Sequence, residues 1–515
     1  MGMSASTRTT TLVLAWLACL GFWLAAPTLA VSLPPAAHWT NTNVVKQIEL
    51  AGTTSHAITT LSVRPGASHN GGEVLDYYFV LAAHEAEHLA WSRLTVKPAL
   101  DSAFAARDNK HGGMRPVVPL QQLGPLDGDM DSVVFKAEIP AELVGAEGVG
   151  MTLETALNHV TQPLPKQVKQ TQPQLVLWEG DAAVRSPYPT KTARIKVKAA
   201  SPKIIAYSPD SATKSGSIVT FGPFENVRPI QAGTKVEQGS VHFQLDAPRA
   251  VIVELKRVAE VSHWGDALSV HDRLVVRNAG AQLKGHFSRI EHQMAAFYNK
   301  ASASALSTIA MSLPAGARDA WFVDDIGNVS TSRFRESKPD PSLLSASSVL
   351  PTSAGVAARM SALELQPRFP LLGGWNYSFS VGFTLPLSAG GWMRKVRASN
   401  EYITAVPLFT PIKDVAVDKL TTVIVLPEAA SRVQLELPYD IHVDHEISKT
   451  YLDTVGRNTI ILTQRNVAPQ HAALVYIKYS LPHRANMVKV AAVAAVTAAL
   501  LTATAVVQRV QTRII

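Results

Sequence analysis

Cysteine is almost missing from this chain. Among 515 residues there is one, Cys19, and it lies in an apolar stretch near the N-terminus. A body without cysteine has no disulfide framework, no thiolate metal site and no cysteine nucleophile, so its own apolar cores must hold it together. Charge is sparse as well, at 17% of residues, and the excess of 48 basic over 40 acidic side chains is scattered. No basic run with interleaved aromatics marks a nucleic-acid surface. Between the two ends no long stretch keeps a 3.6-residue period, which argues against a helical bundle or βαβ units. A G-x-S-x-G nucleophile elbow is also lacking.

What is present starts at the ends. Arg8 followed by the apolar Thr11–Ala26, the helix breaker Pro27 and the small-residue site Thr28-Leu29-Ala30 reads as a secretory signal, residues 1–30, cut after Ala30. Val490–Val507 runs 18 residues without a charge, long enough to cross a hydrocarbon layer. We set the span at 487–508, with 509–515 as a short cytosolic tail. Its composition is mostly Ala, Val and Thr. Ala491, Ala495, Ala499 and Ala503 recur at four-residue steps, a small-residue face that lets another helix approach closely. Arg484 and Lys489 balance Arg509 and Arg513, so orientation rests on the signal. The outline predicts a single-pass type I membrane protein with its body on the lumenal or extracellular side.

The body reads as mainly β. Val433, Leu435 and Leu437 alternate with polar residues, the period of a strand with one wet face. The same alternation appears at Phe135-Ala137-Ile139, Met151-Leu153, Ile195-Val197-Ala199, Val241-Phe243-Leu245 and Val251-Val253-Leu255. Strands separated by Pro and Gly predict two antiparallel β-sandwich-like domains, 31–248 and 249–486, followed by the single helix. A weak internal echo, Ile139-Pro140, Leu313-Pro314 and Leu426-Pro427, each closing an apolar strand, is consistent with related domains. Asp101–Asp131 and Ser337–Ser361, rich in Gly, Pro, Ser or charge, are expected to be surface loops.

Candidate chemistry is thin. His84-Glu85-Ala86-Glu87-His88 satisfies H-E-x-x-H, which on a helix would give two zinc ligands and a general base. It follows the apparent strand Tyr77–Leu81, and no third ligand stands out downstream, so a polar turn or short helix is the preferred reading. Asp324-Asp325 on one strand would diverge rather than form an acid/base pair. Lys191, Arg194, Lys196 and Lys198 read as a solvated strand face, and His263 with Trp264 as core or turn residues. We therefore assign no catalytic, cofactor or metal residues. Two N-x-S acceptors remain, Asn328-Val329-Ser330 and Asn376-Tyr377-Ser378. Asn328 follows Gly327 in a turn and is favoured. Asn376 sits beside Trp375 and Phe379.

Six segments carry a resemblance. Ser186–Thr192 (SPYPTKT), Arg257–Gly265 (RVAEVSHWG), Leu283–Arg289 (LKGHFSR), Asp325–Ser332 (DIGNVSTS), Pro367–Trp375 (PRFPLLGGW) and Tyr451–Arg457 (YLDTVGR) together resemble the ribophorin I family. The resemblance implies the first subunit of the eukaryotic oligosaccharyltransferase of the endoplasmic reticulum membrane. That complex transfers a preassembled glycan from dolichol pyrophosphate to Asn of N-x-S/T sequons. In this family the catalytic site belongs to a multi-span partner, and the subunit itself is accessory, with nascent polypeptide as a further candidate partner. The resemblance also gives the alanine face a purpose, packing on neighbouring membrane subunits, and matches Asn328 to the family's sequon. The residues after Val507 resemble the short-tailed form. The competing readings are a membrane-anchored lumenal or surface binding module and a zinc peptidase using His84, Glu85 and His88.

Overall fold

A computed structural model describes residues 31–66, 74–99, 102, 115–297, 304–338, 360–388, 390–396, 399–408, 412, 415–450, 453 and 455–511. The expected signal at 1–30, most of the Ser337–Ser361 stretch and residues 512–515 lie outside the described residues.

Alternating apolar residues dictate strands, and the strands assemble twice in the same way. In the first half the hairpin Trp39–Leu50/Thr54–Pro65 forms the centre of an eight-stranded sheet. Outward from Thr54–Pro65 lie Val149–Asn158, Leu89–Lys97 and Val117–Val118. Outward from Trp39–Leu50 lie Thr190–Ala199, Ile218–Val227 and Thr213–Ser215. The second half centres on Ala250–Ser262/Ala267–Asn278. It continues on one side through Asn376–Pro386, Arg318–Asp324 and Gly327–Asn328, and on the other through Ala416–Glu428, Arg457–Val467 and His442–Ser448.

The smaller sheets repeat too. Val74–Ala82, Asp129–Pro140 and Leu120–Leu126 pair in the order that Ile309–Pro314, Met360–Leu365 and Ser332–Arg335 follow. Ile204–Ser208, Gln238–Gln244, Leu175–Asp181 and Thr161–Pro163 correspond likewise to Ser431–Glu436, Leu474–Ser480, Glu401–Pro407 and Met393–Lys395. Apart from the two-residue strands Gln167–Val168 and Gln282–Leu283, every described strand of one repeat has a counterpart in the other, in the same chain order. The last strand of the first repeat ends at Gln244 and the first strand of the second begins at Ala250.

The proline echo does not carry this duplication. Pro140, Pro314 and Pro427 sit on strands whose counterparts are Met360–Leu365, Val74–Ala82 and Thr190–Ala199. The three positions are not equivalent; each is an ordinary strand-end device. Nor is either large sheet wholly antiparallel. Trp39–Leu50 runs parallel to Thr190–Ala199, and Ala250–Ser262 parallel to Ala416–Glu428. Each parallel pair is joined by a connection long enough to pass through the smaller sheets, as a parallel crossover requires.

The Asp101–Asp131 expectation is corrected where the segment is described. Leu120–Leu126 is a strand paired with Asp129–Pro140, and Val118 and Leu126 are buried. Gly124 and Pro125 are tolerated because the strand sits at the edge of its sheet, where Pro125 O also accepts the Val31 N–H at 3.0 Å.

Apolar side chains on one face of each large sheet pack under the two smaller sheets. Trp39, Val44, Leu61, Tyr77 and Phe135 form one cluster of the first repeat; Ile48, Trp178, Ile195, Val241 and Phe243 form another. The second repeat has one continuous core running from Ile252 to Leu481. The other face of the first sheet is wet, with Lys198 paired to Glu49 at 3.1 Å, as the basic stripe implied.

The repeats touch through polar groups. Asn158 Nδ2 donates to Asn466 Oδ1 at 2.9 Å, and Asn466 Nδ2 donates to Leu89 O at 3.1 Å. His159 Nε2 lies 2.7 Å from Asp418 Oδ1 and Gln470 Nε2 lies 2.8 Å from His56 Nδ1. The short strands Gln167–Val168 and Gln282–Leu283 add a parallel pairing. The chain leaves the second repeat through Leu474–Ser480 and enters the helix His483–Gln511.

Candidate functional site

The favoured acceptor Asn328 stands on a hairpin that one carboxylate organises. Asp324 ends the strand Arg318–Asp324, and its Oδ1 accepts the backbone N–H groups of Ile326 and Gly327, both at 3.0 Å. Gly327 adopts φ +141°, which favours glycine in this turn. The chain then returns as Gly327–Asn328. Asp324 Oδ2 accepts from Tyr377 Oη at 3.1 Å, and Arg368 grips the carboxylate through Nε and Nη2. Arg368 Nη2 also donates to Gly327 O at 3.3 Å and to Asn328 O at 3.1 Å.

The electrostatics follow from that geometry. The Arg368 guanidinium holds the Asp324 carboxyl below its ordinary range against the opposing effect of burial, and burial pushes the Tyr377 phenol up. Next in the chain, Val329 is buried and its N–H donates to Phe322 O at 3.1 Å, while Asn328 and Ser330 are exposed. An anchored middle residue with both sequon side chains in solvent is the arrangement a glycan on Asn328 requires.

Asn376, the other candidate, begins the strand Asn376–Pro386 and pairs across to Arg277. Its side chain is also exposed, while Tyr377 beside it is buried.

The H-E-x-x-H segment forms the short helix Ala83–His88 between Val74–Ala82 and Leu89–Lys97. Glu85 is buried and committed: its Oε1 and Oε2 accept from Lys46 Nζ at 2.7 and 2.8 Å. A carboxylate held this way cannot also take a proton from a zinc-bound water. His84 faces solvent, and burial pushes the His88 imidazole below its ordinary value. No group of three or more potential metal ligands occurs among the described residues. Asp324 and Asp325 diverge, since Asp325 is exposed and Asp324 buried.

The helix His483–Gln511 contains an apolar stretch, Val490–Arg509, with mean hydropathy 2.3 and no part buried against the body. Its hydroxyls are satisfied internally. Thr497 Oγ1 donates to Val493 O and Ala494 O at 2.9 Å, Thr502 to Ala499 O at 2.8 Å and Thr504 to Leu501 O at 2.9 Å. That removes the cost of exposing polar groups to lipid. Ala491, Ala495, Ala499 and Ala503 are exposed along one face.

Sequence reasoning missed Arg368, Tyr377 and Lys46 as partners of the weighed carboxylates. The signal was present but indirect: Arg368 lies in PRFPLLGGW and Asp324 immediately precedes DIGNVSTS, so two of the family-like segments meet at the hairpin. RVAEVSHWG supplies Arg257, whose side chain pairs with Asp272 inside the sheet. YLDTVGR supplies Arg457, which binds Asp453 at 3.1 Å and also pairs with Glu260. In SPYPTKT, Ser186 and Thr190 accept from buried Asn41 at 2.9 and 3.1 Å. These segments position structure rather than converge on one reacting centre.

The profile of the Ribophorin I family matches residues 39–508, both repeats and most of the helix. An Arabidopsis thaliana protein named dolichyl-diphosphooligosaccharide–protein glycosyltransferase subunit 1B is 29% identical over 358 residues, 69% of this chain and 70% of that protein. The Caenorhabditis elegans protein named subunit 1 of the same transferase is 29% identical over 355 residues, which is 68% of this chain but 55% of the relative. Among solved structures, an M1 zinc metallopeptidase from Deinococcus radiodurans shares 15% identity over 44% of this chain and 42% of its own. Its TM-score of 0.23 is too low to bear on fold or activity.

Proposed function

Because the chain belongs to the ribophorin I family, we propose that it is a non-catalytic subunit of the oligosaccharyltransferase complex, acting in protein N-glycosylation in the endoplasmic reticulum. The observation that carries this is the extent of the family match, which takes in both β repeats and the apolar helix. Side-chain pairing supports the non-catalytic part. Of the five buried carboxylates among the described residues, four are committed to a cation, Glu85 to Lys46, Asp181 to Arg185, Asp272 to Arg257 and Asp324 to Arg368, and the fifth, Asp129, accepts from the Asp131 N–H and Ser132 Oγ. A general acid or base needs a proton it can exchange, and a bidentate ion pair suppresses that exchange.

In this reading the helix spans the membrane once, the cysteine-free body lies in the lumen in two β domains, and Asn328 carries a glycan. The Ala491–Ala503 face packs against a helix of another subunit, and the multi-span partner does the chemistry on nascent polypeptide. The test is purification of the full-length chain in mild detergent, with glycan transfer to a sequon peptide assayed. Co-purification of membrane partners with activity, and no activity once the chain is stripped of them, is expected. A partner-free chain would overturn the subunit reading, and transfer by the isolated chain would overturn the non-catalytic one.

A further inference from the structure

We propose that the end of the second repeat from which the helix departs is a lipid-contact surface, with Trp264 and Val455 set into the headgroup layer beside the span. This rests on the reading of His483–Gln511 as membrane-spanning and adds to it the orientation of the body.

The tether is short and fixed. Leu474–Ser480 is an interior strand of its sheet, paired with Glu401–Pro407 and Ser431–Glu436, and only Leu481 and Pro482 separate it from the helix. Leu481 is buried and its N–H donates to Asn400 O at 2.9 Å, so the connection has no slack. Residues 481–482 extended and 483–489 helical reach at most about 18 Å. The headgroup zone fills roughly 5–8 Å of that distance. The end of the repeat therefore hangs within about 13 Å of the headgroups.

Register shows what else lies at that end. Ser262 pairs with Ala267 and Ala267 with Pro386, which places the 262–267 turn beside residues 386–388, whose Leu387 and Ser388 N–H groups donate to Asp266. Glu260 lies level with Val425, and Glu428 pairs with Arg457, which adds the 428–431 turn and the strand start at Arg457 with Val455 two residues before it.

Two large apolar side chains are exposed at this end, Trp264 at 66% and Val455 at 65%. Both residues stand on anchored backbone. His263 Nε2 lies 2.8 Å from Tyr479 Oη and its ring packs edge-on to Tyr402 at 4.7 Å, which locks the Trp264 turn to the strand feeding the helix. Val455 N–H donates to Glu428 Oε1 at 2.9 Å, and Arg457 pairs with Asp453. Lys395 lies over the Tyr402 ring at 5.9 Å and brings a cation to the same end. Tryptophan is the side chain that most favours the membrane interface, because its ring is apolar and its N–H is polar.

The single cysteine makes the test clean. In the full-length chain carrying Cys19→Ser, Trp264→Cys and Val455→Cys are each labelled with an environment-sensitive fluorophore and reconstituted in phosphatidylcholine vesicles. Ile326→Cys is the distant control, 80% exposed on the sequon hairpin. It lies beyond Phe379, so it is about 23 Å or more along the strand from Pro386. Val493→Cys reports on the span. Headgroup-level nitroxide lipid is expected to remove about half of the emission at 264 and 455, and none at 326, as shallow interfacial insertion requires. Quenching at 493 by acyl-chain nitroxide without quenching at 264 and 455 would overturn the proposal while leaving the span intact. An unquenched 493 would sink the span reading and the proposal with it. A label at 264 shielded from both lipid nitroxide and aqueous iodide would mean that protein covers this end, which also overturns the proposal.

Discussion

Arg257 and Asp272 face each other across the central hairpin of the second repeat and are sealed from solvent together, at 1% and 0% side-chain exposure. Arg257 Nε donates to Asp272 Oδ1 at 2.7 Å and Nη2 to Oδ2 at 2.6 Å, while Nη1 donates to Pro407 O at 2.9 Å. The guanidinium thus ties the eight-stranded sheet to the four-stranded sheet that leads into the helix. Removing one partner strands a buried charge, so Asp272→Ala is expected to cost about 3–5 kcal/mol. The double variant Arg257→Met/Asp272→Leu should recover most of that, because neither charge remains. Urea denaturation midpoints of the two variants check the ordering.

The Asp324 cluster sets an acid limit on the sequon hairpin. Its carboxyl is held below the ordinary value in the folded state, so its stabilising effect is fully present above the unfolded-state value. That effect is lost as pH falls through the folded-state value. Protection of the Ile326 and Gly327 amides, which Asp324 accepts, read as exchange relative to the intrinsic rate at each pH, should stay high at neutral pH and fall below the ordinary carboxylate range. Asp324→Asn should make exchange fast at neutral pH too, with a stability loss of about 1–2 kcal/mol for the weakened charged hydrogen bonds.

At Asn328 the expected outcome is occupancy. Asn328→Gln and Ser330→Ala should each remove one glycan mass from the protein purified from its own cells, as read by intact-mass spectrometry after parallel glycosidase treatment. Retention of the full mass in both variants would show that the acceptor is elsewhere.

Gly373 in the GGW segment has no room for a side chain. A Cβ there would meet Ala281 O at 1.9 Å, and the following Gly374 sits at φ +84°. Gly373→Ala must push two backbones apart and is expected to cost about 1–3 kcal/mol or more. A lowered thermal midpoint checks it, with Gly52→Ala, which meets nothing within 4 Å, as the control.

The alanine face of the helix makes a separable prediction. Ala495→Ile with Ala499→Ile should leave the β body folded, since no part of Val490–Arg509 is buried against it, and should reduce co-purification of membrane partners several-fold. Unchanged recovery would mean that the small residues are only filler.

Part of the site was legible without coordinates. The sequon at Asn328, its glycine turn and the diverging Asp324 and Asp325 follow from local spacing. Arg368 does not. It arrives from a segment more than thirty residues away, and only the pairing of Arg318–Asp324 with Asn376–Pro386 brings it to the turn. The same limit hid Lys46 from Glu85, the central carboxylate of the H-E-x-x-H segment.

Strand character, the absence of disulfides and the apolar helix were determined by the sequence alone, because alternation, cysteine count and hydropathy are properties of neighbouring residues. The duplicated topology, the parallel pair inside each large sheet, the carboxylate partners and the position of Trp264 beside the helix root were decided only in the tertiary structure. Hydrogen-bonded register joins residues far apart in the chain, and the side chains on each strand constrain its faces without naming its neighbour.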